Sequence, residues 1–542
     1  MEKSPRFTKE SFRQDRVLRL DGAMGTQIQG FGLTESDFRQ GLPAEPTRDV
    51  KGDNECLNLS RPDVIRAIHQ AYVDAGADII ETNSFGANAI VQGDYGLAAL
   101  APEMAFAAAR LAREVADAAP RKVWVAGSMG PGSKSLSLVS DYFRPEWRPC
   151  SFDEISDAYK EQAEALIRGG VDLILVETSF DALNVKAALY GVHRAQPGFP
   201  VIVSVSVSNG FGRTLTGQSL EAFYAAVARD NLVAFGLNCS MGAEGLLPVI
   251  RELAAWCPVP LICYPNAGLP NAQGGYDESP ETMAGHVAGL NGLVNIVGGC
   301  CGTTPEHIRA LPALKPRPVP EPEKCLKLSG LETLSVGVGS ETFVGTGTNA
   351  TVSPDFAGML EREEYDDALF AASESVMEGV SVLDVNLDGL PDSPALMERF
   401  VRLTQSDPSV STAALLIDST DWATLLQGLK NAQGKCIAGP LSLAEGESVF
   451  LEKADVLRSL GAALLVRAAD EQGPAREADV CAQAYRLLTD AGIPPCELVF
   501  EVGDPETVRW VKSHLESART LVRKPLSDLD EAVAADLGVL TL

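Results

Sequence analysis

The stretch DLILVETS, residues 172–179, contains the pattern that decides the fold. Four consecutive apolar residues are followed directly by glutamate, threonine and serine. Such a continuous apolar run is typical of a strand buried on both faces, as in a parallel sheet covered by helices. The polar residues after it mark the carboxyl end of the strand, where α/β proteins carry their catalytic and binding groups.

Seven further stretches in the N-terminal half of the chain repeat this pattern. Amphipathic, alanine-rich segments such as PDVIRAIHQAYVDAGA, residues 62–77, lie between them. Eight alternations of strand and helix predict a (β/α)8 TIM-type barrel over residues 17–312, preceded by an N-terminal extension of residues 1–16. The seven stretches are VLRLDGAMGT (17–26), DIIETNSF (78–85), VWVAGSMG (123–130), VIVSVSVS (201–208), AFGLNCS (234–240), LICYPNAG (261–268) and NIVGGCCG (295–302).

Composition limits the class of protein and its partners. The chain has 542 residues, of which 45% are hydrophobic, so it can bury two large cores. Its net charge of −28 argues against nucleic acid or an anionic membrane as a partner. The polar N-terminus has no signal-peptide core, and the odd number of eleven cysteines indicates free thiols or metal ligands. We therefore expect a cytoplasmic protein.

Three cysteines stand at the carboxyl ends of predicted strands. Cys239 ends the sixth strand, and Cys300 and Cys301 end the eighth, so all three face the same mouth of the barrel. Three thiolates can hold zinc tetrahedrally and leave a fourth position open for a substrate thiol. The alternative is that they are small buried apolar residues, which is the interpretation we prefer for the other eight cysteines.

Several motifs of this half resemble the homocysteine S-methyltransferase domain, which cobalamin-dependent methionine synthases share with betaine–homocysteine methyltransferases. They are DGAMGTQIQ (21–29), ETNSFGAN (81–88), VETSFDALN (176–184), GLNCS (236–240), YPNAG (264–268) and VGGCCGTTPEHI (297–308). The resemblance implies a zinc barrel that activates homocysteine, with Cys239, Cys300 and Cys301 as zinc ligands.

The same resemblance assigns the amino-acid pocket. Glu177 is expected to hold the homocysteine ammonium group and to contribute to catalysis. The turn Asp21, Gly22 and Ala23 is expected to line the pocket, and Asn266 to lie beside the metal. The alternative for Asp21 and Glu177 is that each carboxylate caps the helix that follows its strand.

A proline-rich stretch divides the chain. Residues 313–325 read ALKPRPVPEPEKC, and we place a linker over residues 313–340. The strand–helix alternation then resumes over residues 341–542 and resembles the pterin-binding domain that follows the homocysteine barrel in cobalamin-dependent methionine synthases. The motifs are DVNLDG (384–389), IDSTDW (417–422), NAQGK (431–435), SLAEGE (442–447) and DEQG (470–473).

This second barrel is expected to be shortened or degenerate. Only RTLVRKPL (519–526) and LGVLTL (537–542) remain as candidates for its seventh and eighth strands. The residues that match pterin contacts of the family are Asn349, Asp384, Asn386, Asp418 and Asp470.

Other pterin-contacting positions depart from the family. Residues 345–349 read GTGTN in place of the usual GERTN, and Gly439 and Gly503 replace amide side chains. Each lost partner of a buried pterin edge costs on the order of 1–3 kcal/mol. We therefore expect weak or absent methyltetrahydrofolate binding.

The expected function is methyl transfer to homocysteine. No cobalamin-binding Asp-x-His-x-x-Gly motif occurs, so we expect the methyl group to arrive as methylcobalamin on a separate corrinoid protein. The alternatives are a folate-using methionine synthase core, a methyltransferase that uses betaine or S-methylmethionine, and a non-catalytic scaffold for a corrinoid protein.

Overall fold

The computed structural model describes residues 6–12, 15–208, 210–337, 342–468, 474–525 and 537–540. The chain forms two compact units. The first comprises residues 1–135, 153–216 and 229–322, and the second comprises residues 136–152, 217–228 and 323–542.

The first unit contains eight parallel strands in the order β1-β8-β7-β6-β5-β4-β3-β2. A bridge between Leu20 and Ile79 brings β1 beside β2, so the sheet closes into a barrel. The predicted (β/α)8 barrel is thus confirmed. The strands are β1 (Leu18–Arg19), β2 (Ile79–Glu81), β3 (Trp124–Met129), β4 (Leu173–Ser179), β5 (Val201–Val205), β6 (Leu232–Gly242), β7 (Leu261–Asn266) and β8 (Ile296–Val297).

The N-terminal extension takes part in the core of this barrel. Phe7 is fully buried among the inward-facing residues of the strands. Its ring makes edge-to-face contacts with Phe12 at 5.2 Å and with Trp124 at 5.3 Å between centroids. Because the opposite end of the barrel carries the polar strand ends, this apolar packing leaves that end available for chemistry.

The second unit is also a closed barrel of eight parallel strands, in sequence order from β11 to β18. The two candidate end strands are confirmed as β17 and β18. Only residues 526–536 separate them, which is fewer than the dozen or more residues of a helical crossover, so the barrel is shortened as predicted. The strands are β11 (Thr342–Gly345), β12 (Val382–Val385), β13 (Ala414–Asp418), β14 (Ile437–Leu441), β15 (Ala463–Arg467), β16 (Leu498–Glu501), β17 (Arg519–Pro525) and β18 (Leu537–Leu540).

The predicted linker has defined structure in both of its halves. Arg317 is buried in the first unit, where its guanidinium donates to the carbonyl oxygens of Ala254 and Val259 at 3.0 and 2.9 Å. The second half forms an antiparallel hairpin of β9 (Leu326–Ser329) and β10 (Thr333–Val336). Apolar side chains of this hairpin join the core of the second barrel. Their alternation with polar residues is a strand signal that the neighbouring prolines obscure in the sequence.

Helices follow the strands and cover the barrels. Those of the N-terminal half are α1 (Met24–Gly30), α2 (Glu35–Arg39), α3 (Leu57–Ser60), α4 (Pro62–Ala75), α5 (Ala89–Gly93), α6 (Ala101–Ala118), α7 (Phe152–Gly169), α8 (Ala182–Ala195), α9 (Leu220–Val227), α10 (Ala243–Trp256), α11 (Pro280–Val287) and α12 (Pro305–Ala310). Those of the C-terminal half are α13 (Pro354–Glu361), α14 (Tyr365–Met377), α15 (Ser393–Ser406), α16 (Trp422–Asn431), α17 (Glu447–Ser459), α18 (Pro474–Asp490) and α19 (Pro505–His514).

Helix boundaries follow local capping chemistry. α4 starts with Pro62 and ends before Gly76, whose φ of 101° is a left-handed conformation that favours glycine. The side chain of Asp181 caps α8 by accepting hydrogen bonds from the first backbone amides of the helix. Among the described residues, no helix has the length and apolar character that crossing a membrane requires.

Candidate active site

Three thiols meet at the carboxyl end of the first barrel. The Sγ atoms of Cys239, Cys300 and Cys301 all lie within 4.8 Å of one another, and those of Cys239 and Cys301 are 3.9 Å apart. All eleven cysteines of the chain are free thiols. Three sulfurs at this spacing form one face of a tetrahedral thiolate site.

The thiols depend on one another electrostatically. The pKa of Cys239 falls to about 3 because Cys300 and Cys301 donate hydrogen bonds to its sulfur. The pKa values of Cys300 and Cys301 rise because each shares its proton with that thiolate. The cluster thus carries one negative charge by itself, and three thiolates require a cation among them.

The backbone around the thiols is shaped for this convergence. Cys239 and Ser240 have φ values of 58° and 61°, in the left-handed region that few non-glycine residues adopt. Gly299 lies so close to Thr303 that a Cβ at this position would be 2.5 Å from the threonine hydroxyl. The strain at Cys239 and the close packing at Gly299 aim both strand ends into the mouth of the barrel.

Three carboxylates lie in the same mouth. Asp21 and Glu177 are 2% and 5% exposed, and Glu81 at the end of β2 is partly buried. Burial raises the pKa of Glu177 to about 7 and raises the pKa values of Asp21 and Glu81 well above their ordinary range. Repulsion among the three carboxylates adds to the shift of Glu81. The pocket therefore favours a cationic group that neutralises them.

Glu177 is fixed by two side chains. The hydroxyl of Ser128 donates to Oε1, and the hydroxyl of Tyr264 donates to Oε2 at 3.2 Å. Asp21 instead accepts from the backbone amide of Glu81 at 3.0 Å through Oδ2. Its Oδ1 and the Oε1 of Glu81 are buried without a hydrogen-bond partner. These two oxygens are acceptors that a bound ammonium group can satisfy.

The turn after Asp21 is tightly packed. A Cβ on Gly22 would lie 2.7 Å from the hydroxyl of Thr303. The same hydroxyl accepts from the amide of Ala23 at 3.1 Å, and Tyr72 donates to the carbonyl of Ala23 at 3.0 Å. Gly22 and Ala23 thus fix the direction in which Asp21 enters the pocket.

Asn266 at the end of β7 lies against the cysteines. Its side chain hydrogen-bonds to Cys239, whereas its Oδ1 is buried without a partner. An orphaned buried oxygen beside three thiols fits a cation site, because it is an acceptor that a bound cation or its ligand can satisfy. The thiols and Asn266 together are therefore chemically suited to hold a zinc ion.

Two further polar residues lie in this site, and no role was assigned to them from the sequence. Glu81 follows an apolar run, as Asp21 and Glu177 do, so the strand-end rule places it at this mouth. Asn238 is fully buried and makes hydrogen bonds to Thr178, Ser204 and Cys300. The sequence signal for Asn238 is weaker, because it is only a polar residue that ends an apolar run directly before the candidate ligand Cys239.

The second barrel brings four of its five candidate residues together. Asn349 Nδ2 donates to Asp384 Oδ2 at 2.9 Å, and Asn386 Nδ2 donates to Asp418 Oδ2 at 3.0 Å. The backbones of Asn349 and Asn386 are bridged in parallel, so the two pairs lie side by side at the strand ends. The fifth residue, Asp470, lies outside the described residues.

The positions that depart from the pterin pattern contribute few side chains to this mouth. Thr346 and Gly347, which replace the Glu and Arg of the family, lie in the turn after β11, where the carbonyl of Thr346 accepts from the amide of Asn349 at 3.0 Å. Gly503 contributes a backbone amide, 3.3 Å from Glu477. At the end of β16, Glu501 lies 3.5 Å from Arg467 as an ion pair. Glu501 is thus paired within the protein itself.

Comparisons with known proteins agree with this division. The family model for homocysteine S-methyltransferase matches residues 18–314, and that for pterin binding enzyme matches residues 346–516. Similar solved structures include the homocysteine methyltransferase MmuM from Escherichia coli. Its oxidised form is 25% identical, with a TM-score of 0.44 over 55% of this chain and 95% of that one. Its metallated form is 26% identical, with a TM-score of 0.41 over 55% and 96%.

Proposed function

The chain belongs to the homocysteine S-methyltransferase family, and we propose that Cys239, Cys300 and Cys301 hold a zinc ion at which homocysteine is methylated. The observation that carries the proposal is the convergence of the three sulfurs within 4.8 Å. When bound, zinc lowers the pKa of a coordinated thiol and leaves the sulfur nucleophilic at neutral pH.

The carboxylate pocket holds the other end of homocysteine. Its ammonium group takes the position between Glu177, Asp21 and Glu81, where it supplies hydrogen bonds to the two orphaned oxygens. Ser128 and Tyr264 keep Glu177 in place during this contact. Because a buried charge-assisted hydrogen bond is orientation-dependent, the pocket fixes the substrate so that its sulfur faces the cysteines.

The methyl group comes from a donor that binds above the first barrel. We propose methylcobalamin on a separate corrinoid protein, because the donor and acceptor sulfur must approach in line and the thiols lie at an open strand-end mouth. The second barrel gives weak or no use of methyltetrahydrofolate, since Thr346, Gly347, Gly439 and Gly503 replace side chains that the family pattern places against the pterin. The protein acts in the cytoplasm.

One experiment separates these possibilities. Zinc-loaded protein is supplied with homocysteine and, in parallel, with methylcobalamin, methyltetrahydrofolate or betaine, and methionine is quantified. We expect about one zinc per chain and methionine formation with methylcobalamin. Methionine from methyltetrahydrofolate would favour a folate-using core, and methionine from betaine a stand-alone enzyme. Absence of both zinc and methionine would refute the proposed function and favour a scaffold.

A further inference from the structure

A cavity of about 280 Å³ lies at the end of the first barrel that is opposite the thiols. Arg16, Asp78 and Arg121 line it, and these residues precede β1, β2 and β3. Because the strands are parallel, residues that precede them lie at the amino end of the barrel, whereas the candidate active site lies at the carboxyl end. The volume is close to the lower limit for small-molecule sites, so the cavity can admit a small ligand separately from homocysteine.

Three guanidinium groups meet at this cavity, namely those of Arg16, Arg19 and Arg121. Among the described residues that line it, Asp78 supplies the single carboxylate. Asp15, which also attracts Arg16, is exposed to solvent, where its charge is screened. The cavity therefore has an excess of positive charge in a chain whose net charge is −28. Such a local excess favours an anion as the occupant.

Asp78 is already saturated by its neighbours. Its Oδ1 accepts from Arg16 Nη2 at 2.8 Å, and its Oδ2 accepts from Arg16 Nη1 at 2.6 Å and from the backbone amide of Arg19 at 2.9 Å. Arg121 Nη1 lies 3.8 Å from Asp78 Oδ1, which is too far for a hydrogen bond. Asp78 therefore neutralises Arg16 and cannot also pair with the other two guanidinium groups.

Arg19 and Arg121 keep hydrogen-bond donors for a ligand. Within the described part of the chain, the side chain of Arg19 makes one hydrogen bond, from Nη2 to the carbonyl of Leu311 at 2.8 Å. Arg121 Nη2 donates to the carbonyls of Val73 and Ala77 at 2.9 and 2.8 Å, whereas its Nη1 is buried without a hydrogen-bond partner. Because a guanidinium group has five N–H donors, both arginines can donate further bonds to an oxyanion.

The remaining wall of the cavity is apolar. Val17 before β1, Val297 at the end of β8 and Leu314 after α12 contribute to it. A ligand that fills this space would bury hydrocarbon against these side chains. The lining thus matches an amphipathic molecule, with a charged group at the arginines and an apolar body beside the valines and the leucine.

We propose that this cavity binds a small organic anion whose phosphate or carboxylate head group accepts hydrogen bonds from Arg19 and Arg121. Both head groups fit, because the planar fork of donors on a guanidinium group matches two oxygens of an oxyanion. Arg16 stays paired with Asp78 and adds attraction at longer range. The site lies away from the thiols, so this proposal can fail or succeed independently of the proposed methyl transfer.

Isothermal titration calorimetry with three aromatic probes tests the proposal. Phenyl phosphate, benzoate and benzyl alcohol share a ring and carry a phosphate, a carboxylate and a neutral hydroxyl group, respectively. We expect saturable binding of at least one anion, with an affinity that falls as salt is added, and no binding of benzyl alcohol. The anion that binds more tightly identifies the head group. Failure of both anions to bind, or equal binding of benzyl alcohol, would overturn the proposal.

Two variants locate the bound anion. Arg19→Gln and Arg121→Gln each remove one guanidinium group, and Arg110→Gln on the exposed face of α6 is the matched control for the loss of one charge. We expect the first two variants to bind the anion roughly 10-fold to 150-fold more weakly, as the loss of a charged hydrogen bond predicts, and the control to bind it normally. Arg19→Gln is the milder change, since it removes a single hydrogen bond within the protein. Unchanged affinity in folded Arg19→Gln would contradict the assignment.

A further measurement uses the unmodified protein. Phenylglyoxal reacts with accessible arginine side chains, and mass spectrometry of peptides gives the rate of reaction at each arginine. A saturating concentration of the tighter anion should slow the modification of Arg19 and Arg121 several-fold and leave that of Arg110 unchanged. Equal protection of Arg110, or no protection of Arg19 and Arg121, would show that the anion does not occupy this cavity.

Discussion

Replacing Glu177 with glutamine removes the carboxylate that we place against the homocysteine ammonium group while keeping the shape of the side chain. Asp21 and Glu81 remain in the pocket, so binding is weakened and not abolished. A hydrogen bond to a charged group contributes about 1.5–3 kcal/mol, which corresponds to a rise in KM of roughly 10-fold to 150-fold. Zinc content is expected to stay unchanged, because Glu177 bonds to Ser128 and Tyr264 and not to the cysteines.

The size of the effect depends on pH. Burial raises the pKa of Glu177 to about 7, so the unmodified protein holds the ammonium group fully only above that pH. The ratio of kcat/KM between unmodified protein and variant therefore increases about threefold to fivefold as pH rises from 6 to 7, and it levels off above pH 8. Ionisation of the substrate is common to both proteins and cancels in the ratio.

The same shift predicts a change in stability. A carboxyl group with a raised folded-state pKa contributes its full stability below the unfolded-state pKa and loses it as pH rises through the folded-state value. Between pH 4.5 and 7 the loss for Glu177 is roughly 3 kcal/mol, at about 1.4 kcal/mol per pKa unit. Chemical unfolding of Glu177→Gln should lack this component.

The assay is kcat/KM for homocysteine from pH 6 to 8.5, with Glu161→Gln as a control on the exposed face of α7. An unchanged KM at pH 8, or a ratio that does not vary with pH, would refute the reasoning and leave Glu177 as a structural carboxylate.

Three further predictions concern the metal ligands, the backbone beside them and the second barrel. Cys300→Ala should abolish zinc binding and activity together, and full zinc content by metal analysis would show that the ligand assignment is wrong. Gly302→Ala should weaken zinc retention against a chelator. The added Cβ, on the residue after Cys301, would lie 2.3 Å from the Cβ of Tyr276 and would displace that residue. Retention equal to that of the unmodified protein would contradict this packing argument. Titration calorimetry with methyltetrahydrofolate should show weak or absent binding, and low-micromolar affinity would mean that other groups replace the lost pterin contacts.

Much of the first barrel could be predicted from the sequence because one pattern repeats. Each apolar run gives a buried strand, and each strand end faces the same mouth. The convergence of Cys239 with Cys300 and Cys301 follows from that topology alone, although these residues are far apart in the chain. Glu81 obeys the same rule and opens the motif ETNSFGAN, although the resemblance assigns it no role.

Tyr276 and Asn238 could not be predicted in the same way. Tyr276 lies in a loop, and its position against Gly302, the residue after Cys301, depends on the bridge to Pro270 and on the space that a glycine leaves. Loops have no hydrophobic period that fixes where a side chain points. The partners of Asn238 come from neighbouring strands, and the register that brings them together is set by tertiary packing.

The hairpin of β9 and β10 was hidden for a different reason. Proline and charge dominate residues 313–325, which favours an extended linker. The leucines that follow alternate over only a few residues, a length at which a periodic signal is weak. Their burial in the core of the second barrel becomes visible only when the barrel strands are in place.

The most direct test of the central claim is zinc K-edge X-ray absorption of the loaded protein with and without homocysteine. The account predicts three sulfur neighbours from Cys239, Cys300 and Cys301 in the absence of substrate, and a fourth sulfur when homocysteine is added. Binding should release about one proton near neutral pH, because the thiolate is the form that binds. A shell of three sulfurs that does not change on addition of saturating homocysteine would contradict direct activation of the substrate thiol at this site.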